Sequence, residues 1–218
     1  MKFIMTLSCM FLISSLYSQV LEDDTSYVEN GRNIKLVERI YSGETMILKF
    51  YINDKPSLTD TLFNLGVSYW RNIFDFDGDG NKDIMITTYS NNPFSTLYQF
   101  DSNTSTFIKV NNFEDFPEAL PLSTNLHLFY SYHRSGCADA DWDSDLFMIK
   151  NHKAISIGNI HADDCFDEKH TITISKIVNE NKKPFETLPI STLGGFENYK
   201  WGFIADYWSK NFSKFTQK

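Results

Sequence analysis

Along this chain, apolar residues fall into short runs that alternate, or nearly alternate, with polar ones, and turns rich in Asp, Asn, Ser and Gly separate the runs. A period of two is what a half-buried pleated surface requires. Segments 34–41 and 45–52 flank Ser42-Gly43-Glu44, a hairpin signal. Segments 67–74 and 84–89 flank an Asp/Gly loop, and segments 97–100 and 106–110 flank Asp101-Ser102-Asn103-Thr104. Segments 126–133, 146–150, 154–160 and 171–178 follow, enriched in the Ile, Tyr, Phe and Thr that suit strands. Residues 112–124 contain Pro117 and Pro121 and read as a loop or short helical turn. The period then changes. Trp201, Ile204, Ala205, Trp208, Phe212 and Phe215 recur at steps of three and four, the mark of a helix with one apolar stripe. Packing on the open face of a sheet is the expected use of that stripe; contact with a membrane or a partner is the alternative. The pattern predicts a mainly β fold: an antiparallel sheet or sandwich of about 9–11 short strands with a C-terminal α-helix.

The first 18 residues read differently. Lys2 precedes an uncharged apolar run over 3–16, and Glu22-Asp23-Asp24 follows shortly after. This is the layout of a secretory signal peptide, and the run is shorter than the roughly 20 residues a spanning helix needs. Cys9 lies inside the run rather than after it, which argues against lipidation. The expectation is therefore a signal over 1–18 and a single β-rich domain over 19–218 without membrane insertion. Cleavage leaves 19 basic and 28 acidic residues, a net charge of −9. Such a chain is a poor ligand for nucleic acid or anionic lipid; a cationic protein or a metal cation suits it better.

The sharpest chemical signal is Asp75-Phe76-Asp77-Gly78-Asp79-Gly80-Asn81-Lys82-Asp83, with carboxylates at positions 1, 3, 5 and 9 of the run. Calcium takes six to eight oxygens at about 2.3–2.6 Å, and a tight loop can aim alternate side chains at one centre. Asp75, Asp77, Asp79 and Asp83 supply carboxylates, the Asn81 carbonyl completes the expected set, and Gly78 and Gly80 permit backbone angles that a Cβ resists. Oxygen-only donors favour calcium over zinc or copper. An EF-hand needs Glu at position 12, where this chain has Ile86. The string D-x-D-G-D-G-x-x-D followed by Ile84-Met85-Ile86 resembles the calcium loops of FG-GAP/VCBS repeat proteins over residues 74–88. The resemblance implies a loop joining two β-strands. Such repeats usually come in propeller-forming sets. Here Asp139, Asp141, Asp143 and Asp145 echo the motif without its glycines, and Cys137 stands where the first Asp would be, so a solvated acidic loop is expected there.

Cys137 and Cys165 remain once Cys9 is removed with the signal. A disulfide is the favoured reading in an oxidising compartment; a zinc site with His133, His161 or His170 is the alternative, although no tight Cys/His spacing supports it. Catalytic signatures such as G-x-S-x-G or H-E-x-x-H are absent from the sequence, and the acidic Asp163, Asp164, Asp167 and Glu168 are explained as well by an exposed loop as by a glycosidase. The order of calcium loop, hairpin, long Ser/Tyr strand and Ser135-Gly136 is similar to the PliI-type periplasmic lysozyme inhibitors. That resemblance implies a β-sandwich inserting a loop into a lysozyme active site. In those inhibitors Tyr closely follows Ser-Gly, whereas here Cys137-Ala138-Asp139 follows. Ser135, Gly136 and Trp142 are the candidate partner contacts, with Trp142 as an aromatic anchor. The sequence thus reads as a secreted calcium-binding, non-catalytic binding or structural module. The alternative is a periplasmic inhibitor or immunity protein against a cationic lysozyme-like hydrolase.

Overall fold

A computed structural model describes residues 20–41, 45–63, 68–89, 92–165 and 170–216. The expected signal over 1–18 with Cys9, the Ser42-Gly43-Glu44 turn, Asp167 and Glu168 lie outside the described residues. The fold is mainly β and antiparallel, as the periodicity predicts. Strands β1 (Val20–Glu29), β2 (Arg32–Tyr41), β3 (Thr45–Ile52) and β4 (Lys55–Phe63) form one meander. Strands β5 (Tyr69–Phe74), β6 (Asp83–Thr88), β7 (Phe94–Asp101) and β8 (Thr106–Lys109) form a second. The third sheet takes β9 (Leu120–Leu122), β10 (Asn125–Tyr130), β11 (His133–Gly136), β12 (Asp141–Ile149), β13 (Ala154–Asp163), β14 (Thr171–Val178) and β15 (Asn181–Pro189). Its strand order is β15-β14-β13-β12-β10-β9, with β11 also paired to β12. Helices α1 (Lys200–Asn211) and α2 (Ser213–Thr216) close the chain.

These elements stack as layers. Along β3, Met46, Leu48, Phe50 and Ile52 are buried while their neighbours are half-buried, so one face of the first sheet turns inward. That face meets Ile84, Ile86, Tyr98, Phe100 and Phe107 of the second sheet. The second sheet is covered on its other face too. There Leu97 joins Phe76, Phe113, Phe116, Phe129 and Phe147 in an aromatic layer shared with the third sheet. The far face of the third sheet carries Trp142, Leu146, Ile160, Ile172 and Ile174, which pack under Phe203, Ile204, Tyr207 and Trp208 of α1. The helical stripe therefore covers a sheet, and Trp208 Nε1 donates to Ser144 Oγ at 2.9 Å within that interface.

Two segments differ from the sequence expectation. The single strand expected over 126–133 divides into β10 and β11, because Tyr132 N–H leaves the ladder to donate to Pro117 O at 3.0 Å. Within 112–124, a 3-10 turn at Phe113–Asp115 is followed by β9. Among the described residues, no helix is long and apolar enough to cross a membrane.

Candidate metal centre

Phe74 and Asp83 are paired opposite each other in the β5–β6 ladder, so residues 75–82 form a loop whose ends are held together by the sheet. Gly78 and Gly80 take φ of +76° and +87°, the left-handed region that lets the loop reverse twice in a few residues. Phe76 turns inward, 1% exposed, and stacks on Phe129 at 4.7 Å, which pins the loop to the third sheet.

The carboxylates of Asp75, Asp77 and Asp83 converge, with one oxygen from each within 4.8 Å of the others. Asp83 is almost wholly buried and accepts from Phe76 N–H at 3.0 Å and Phe100 N–H at 2.9 Å. Burial, and behind it the charges of Asp77 and Asp79, push its carboxyl up to about 8 against the pull of those two amides. Burial and the neighbouring Asp79 and Asp75 likewise raise Asp77. A positive charge among these groups would relieve both effects. Asp75 accepts from the amides of Gly78, Asp79 and Gly80 at 2.8, 3.1 and 3.0 Å, which shapes the turn. Asp79 and Asn81, the other two expected ligands, are engaged with each other: Asp79 Oδ1 accepts from Asn81 N–H at 2.7 Å and from its side-chain amide at 3.2 Å. The loop thus brings together three of its four acidic side chains and holds Asp79 to one side with Asn81.

Three further residues support the site without any local sequence signal. Gln99 Nε2 donates to Asp77 Oδ2 at 2.7 Å from β7. Glu29 accepts from Lys82 N–H at 3.1 Å, and Asn30 Nδ2 donates to Asn81 Oδ1 at 3.3 Å. The last two come from the end of β1 and the turn after it, some fifty positions away in the chain. Among these the Asn30-Gly31 turn dipeptide is readable as a hairpin, but its destination is not.

Cys137 and Cys165 form a disulfide with Cα atoms 5.9 Å apart. Zinc at these cysteines is therefore corrected: their sulfurs bond each other, while His133 and His161 turn to Asp143 and His170 turns to Asp164. The echo of the Asp motif also disperses. Asp139 binds Lys200 Nζ at 2.6 Å and the Tyr132 hydroxyl, and Asp141 accepts from the amides of Asp164 and Cys165. Asp143 faces His161, and Asp145 faces Asn159 and Ser156. Of the three candidate partner contacts, Ser135 is exposed and Gly136 half-buried at the surface loop. Trp142 is not available as an anchor. It is 1% exposed on the helix-covered face of the third sheet, where a large aromatic side chain gains most from burial.

No protein-family model and no curated protein matches the chain. A solved structure, described as that of a Xanthomonas type IV secretion system related protein, is similar at 16% identity with a TM-score of 0.48, covering 75% of this chain and 93% of that one.

Proposed function

We propose that this protein is a secreted, calcium-binding, non-catalytic module in which the ion at Asp75, Asp77 and Asp83 fixes the junction of its three sheets. The convergence of these carboxylates in one strand-flanked loop carries the reading. All donors are oxygens, which suits a hard cation, and the glycines give the loop the flexibility calcium tolerates better than magnesium. Asp79 and the Asn81 carbonyl are the remaining donors in this reading. The 137–165 disulfide supports an oxidising, extracytoplasmic setting. Calorimetry with calcium and with magnesium tests the proposal. The expected result is a calcium heat with Kd on the order of 10⁻⁴ to 10⁻³ M, weaker heat with magnesium, and loss of the calcium heat in Asp77→Asn. Absence of calcium heat in the wild-type protein would overturn it.

A second reading is inhibition of a cationic lysozyme-like hydrolase. It is favoured by the loop after β11, where Cys137, Ala138 and Asp139 take φ of 49°, 51° and 81° in succession. This turn is held by the disulfide, by Lys200 and Tyr132 on Asp139, and by Asn92, which pairs with the backbone of Arg134. A loop fixed in advance loses little entropy on docking. Peptidoglycan turnover by a panel of lysozyme types, with excess protein at low salt, is the test. One slowed enzyme whose rate Ser135→Ala restores supports the loop; unchanged rates across the panel exclude that target class.

A further inference from the structure

A cavity of about 470 Å³ opens between the second sheet and the end of the third that α1 covers. It lies outside the calcium loop and outside the turn at 137–139. The structure assigns this cleft to a saccharide ligand. Its lining includes Trp70 from β5 and Trp201 from α1, which remain 39% and 44% exposed although both are large and apolar. Neither ring is loose. Trp70 meets Tyr89 edge-on at 4.3 Å between centroids, and Trp201 lies 3.9 Å from Tyr132. Rings held this way lose little further entropy when a ligand docks on them.

The same cleft is lined by Asn72 and Glu118, both exposed, and by half-buried Tyr130, and none of the three forms a side-chain hydrogen bond among the described residues. Partial burial pushes the Glu118 carboxyl up, against the pull of Arg134 and Lys200. The cleft therefore combines flat aromatic faces with unspent hydrogen-bonding groups in a volume typical of small-ligand sites.

Each simpler ligand class meets an obstacle. An acyl chain would cover the three polar groups and leave them without partners. An organic cation would meet Lys200, whose Nζ already lies 5.1 Å from the Tyr132 ring and 5.5 Å from the Trp201 ring while bound to Asp139 at 2.6 Å. A pyranose escapes both. Its axial C–H face lies on an indole ring, and its equatorial hydroxyls both donate and accept, matching a carboxylate, an amide and a phenol.

The test uses the full folded chain with calcium present. Indole N–H resonances of Trp70, Trp142, Trp201 and Trp208 are followed by NMR during millimolar titrations with chitotriose, cellotriose and maltotriose. The expected result is saturable movement of the Trp70 and Trp201 signals with at least one sugar, while the buried Trp142 and Trp208 signals stay in place. Trp70→Ala and Trp201→Ala, both at partly exposed positions, should each weaken that sugar by about tenfold or more, the scale of one lost ring contact. No movement with any of the three sugars overturns the assignment. So does movement with tetramethylammonium chloride or decanoate alone, which would make the cleft a cation cage or an acyl site.

Discussion

Asp143 sits mid-strand in β12 with His133 opposite it on β11 and His161 opposite it on β13, so three titratable side chains form one row across the third sheet. His161 Nδ1 lies 3.1 Å from Asp143 Oδ2, and Lys182 Nζ lies 3.3 Å from Oδ1. Burial acts to raise the Asp143 carboxyl, but the hydrogen bond and charge of His161, with Lys182 and Asn159, outweigh it and hold the group well below the usual range. For His161 the bond to Asp143 is the largest effect; it raises the imidazole above 6.5 in spite of partial burial. A base whose folded value is raised stabilises the fold below its unfolded value, and that contribution is lost as pH rises through the folded value. The carboxyl works in the opposite sense, so the pair contributes between the two titrations and fades in acid and in alkali. His161→Gln should therefore flatten the decline in urea-unfolding free energy as pH rises through and above the ordinary imidazole range. Because the His161 side chain is 41% exposed, the effect should stay below about 1 kcal/mol. Equal declines in both proteins would assign the pH dependence elsewhere. At this scale, what the sequence discloses depends on how local the chemistry is. Asp75, Asp77 and Asp83 are readable because one short loop gathers them. Gln99, Glu29 and Asn30 are not, since only tertiary pairing brings them to that loop. Trp142 misleads because aromatic residues serve equally as anchors and as core, and sequence alone does not separate the two uses.

The strands legible from hydropathy are those with at least one buried neighbour on each side or one clean inward face, such as β3, β6, β12 and β13. The strands that escape are edges. β1 and β4 border the first sheet, β9 and β15 border the third, and β11 pairs β12 beside β10. Edge strands bury little and favour charge and proline, as in Leu21-Glu22-Asp23-Asp24 of β1 and Lys182-Lys183-Pro184 of β15. Their patterns resemble loops because half their backbone faces water, which accounts for fifteen strands among the described residues where periodicity marks about 9–11. The helix shows the complementary limit. Its buried side is Phe203, Ile204, Tyr207 and Trp208, while Trp201, counted in the same stripe by spacing, lies outside it and faces the cleft. The start of α1 explains this offset. Tyr199 precedes the helix with φ of 55° and no side-chain cap, and the chain folds back so tightly that a Cβ on Gly202 would stand 1.9 Å from Glu197 O. Gly202→Ala should force that turn open and cost at least about 1–3 kcal/mol, the range for overpacked sites. Higher helix propensity of Ala predicts the opposite sign, a gain of up to about 1 kcal/mol. Denaturant unfolding with an unchanged or raised midpoint would show that the close approach at Glu197 is not a constraint.

Across the whole molecule, the loop at 75–82 touches every sheet. It belongs to the second sheet through β5 and β6, reaches the first through Glu29 and Asn30, and reaches the third through Phe76 on Phe129. Other inter-sheet links are partly charged. Arg71 binds the buried Glu38 at 2.7 Å, Tyr69 donates to the same carboxylate at 3.0 Å, and Asp60 accepts from Tyr98 and Lys109. An ion bound by Asp75, Asp77 and Asp83 would therefore act on the unfolding of all three layers rather than on one hairpin. The magnitude follows from mass action. At a hundredfold excess over Kd, a ligand specific to the folded state adds about 2.7 kcal/mol, or about 5–10 °C in Tm for a chain of this size. Because Asp77→Asn relieves the repulsion that raises Asp77 while altering its bond from Gln99, it changes stability by itself, so the quantity to compare is the calcium increment of each protein and not its absolute Tm. The increment should vanish in Asp77→Asn and on chelation. Its distribution tests the coupling. Trp70 sits on β5 beside the loop, whereas Trp142, Trp201 and Trp208 lie on the third sheet and α1, so the fluorescence of a Trp70→Phe protein reports that layer. Far-UV circular dichroism reports all three sheets together. Calcium should move both transitions by the same amount. A shift in circular dichroism with the tryptophan transition left in place would show that the ion stabilises its own hairpin and that the third sheet unfolds independently of it.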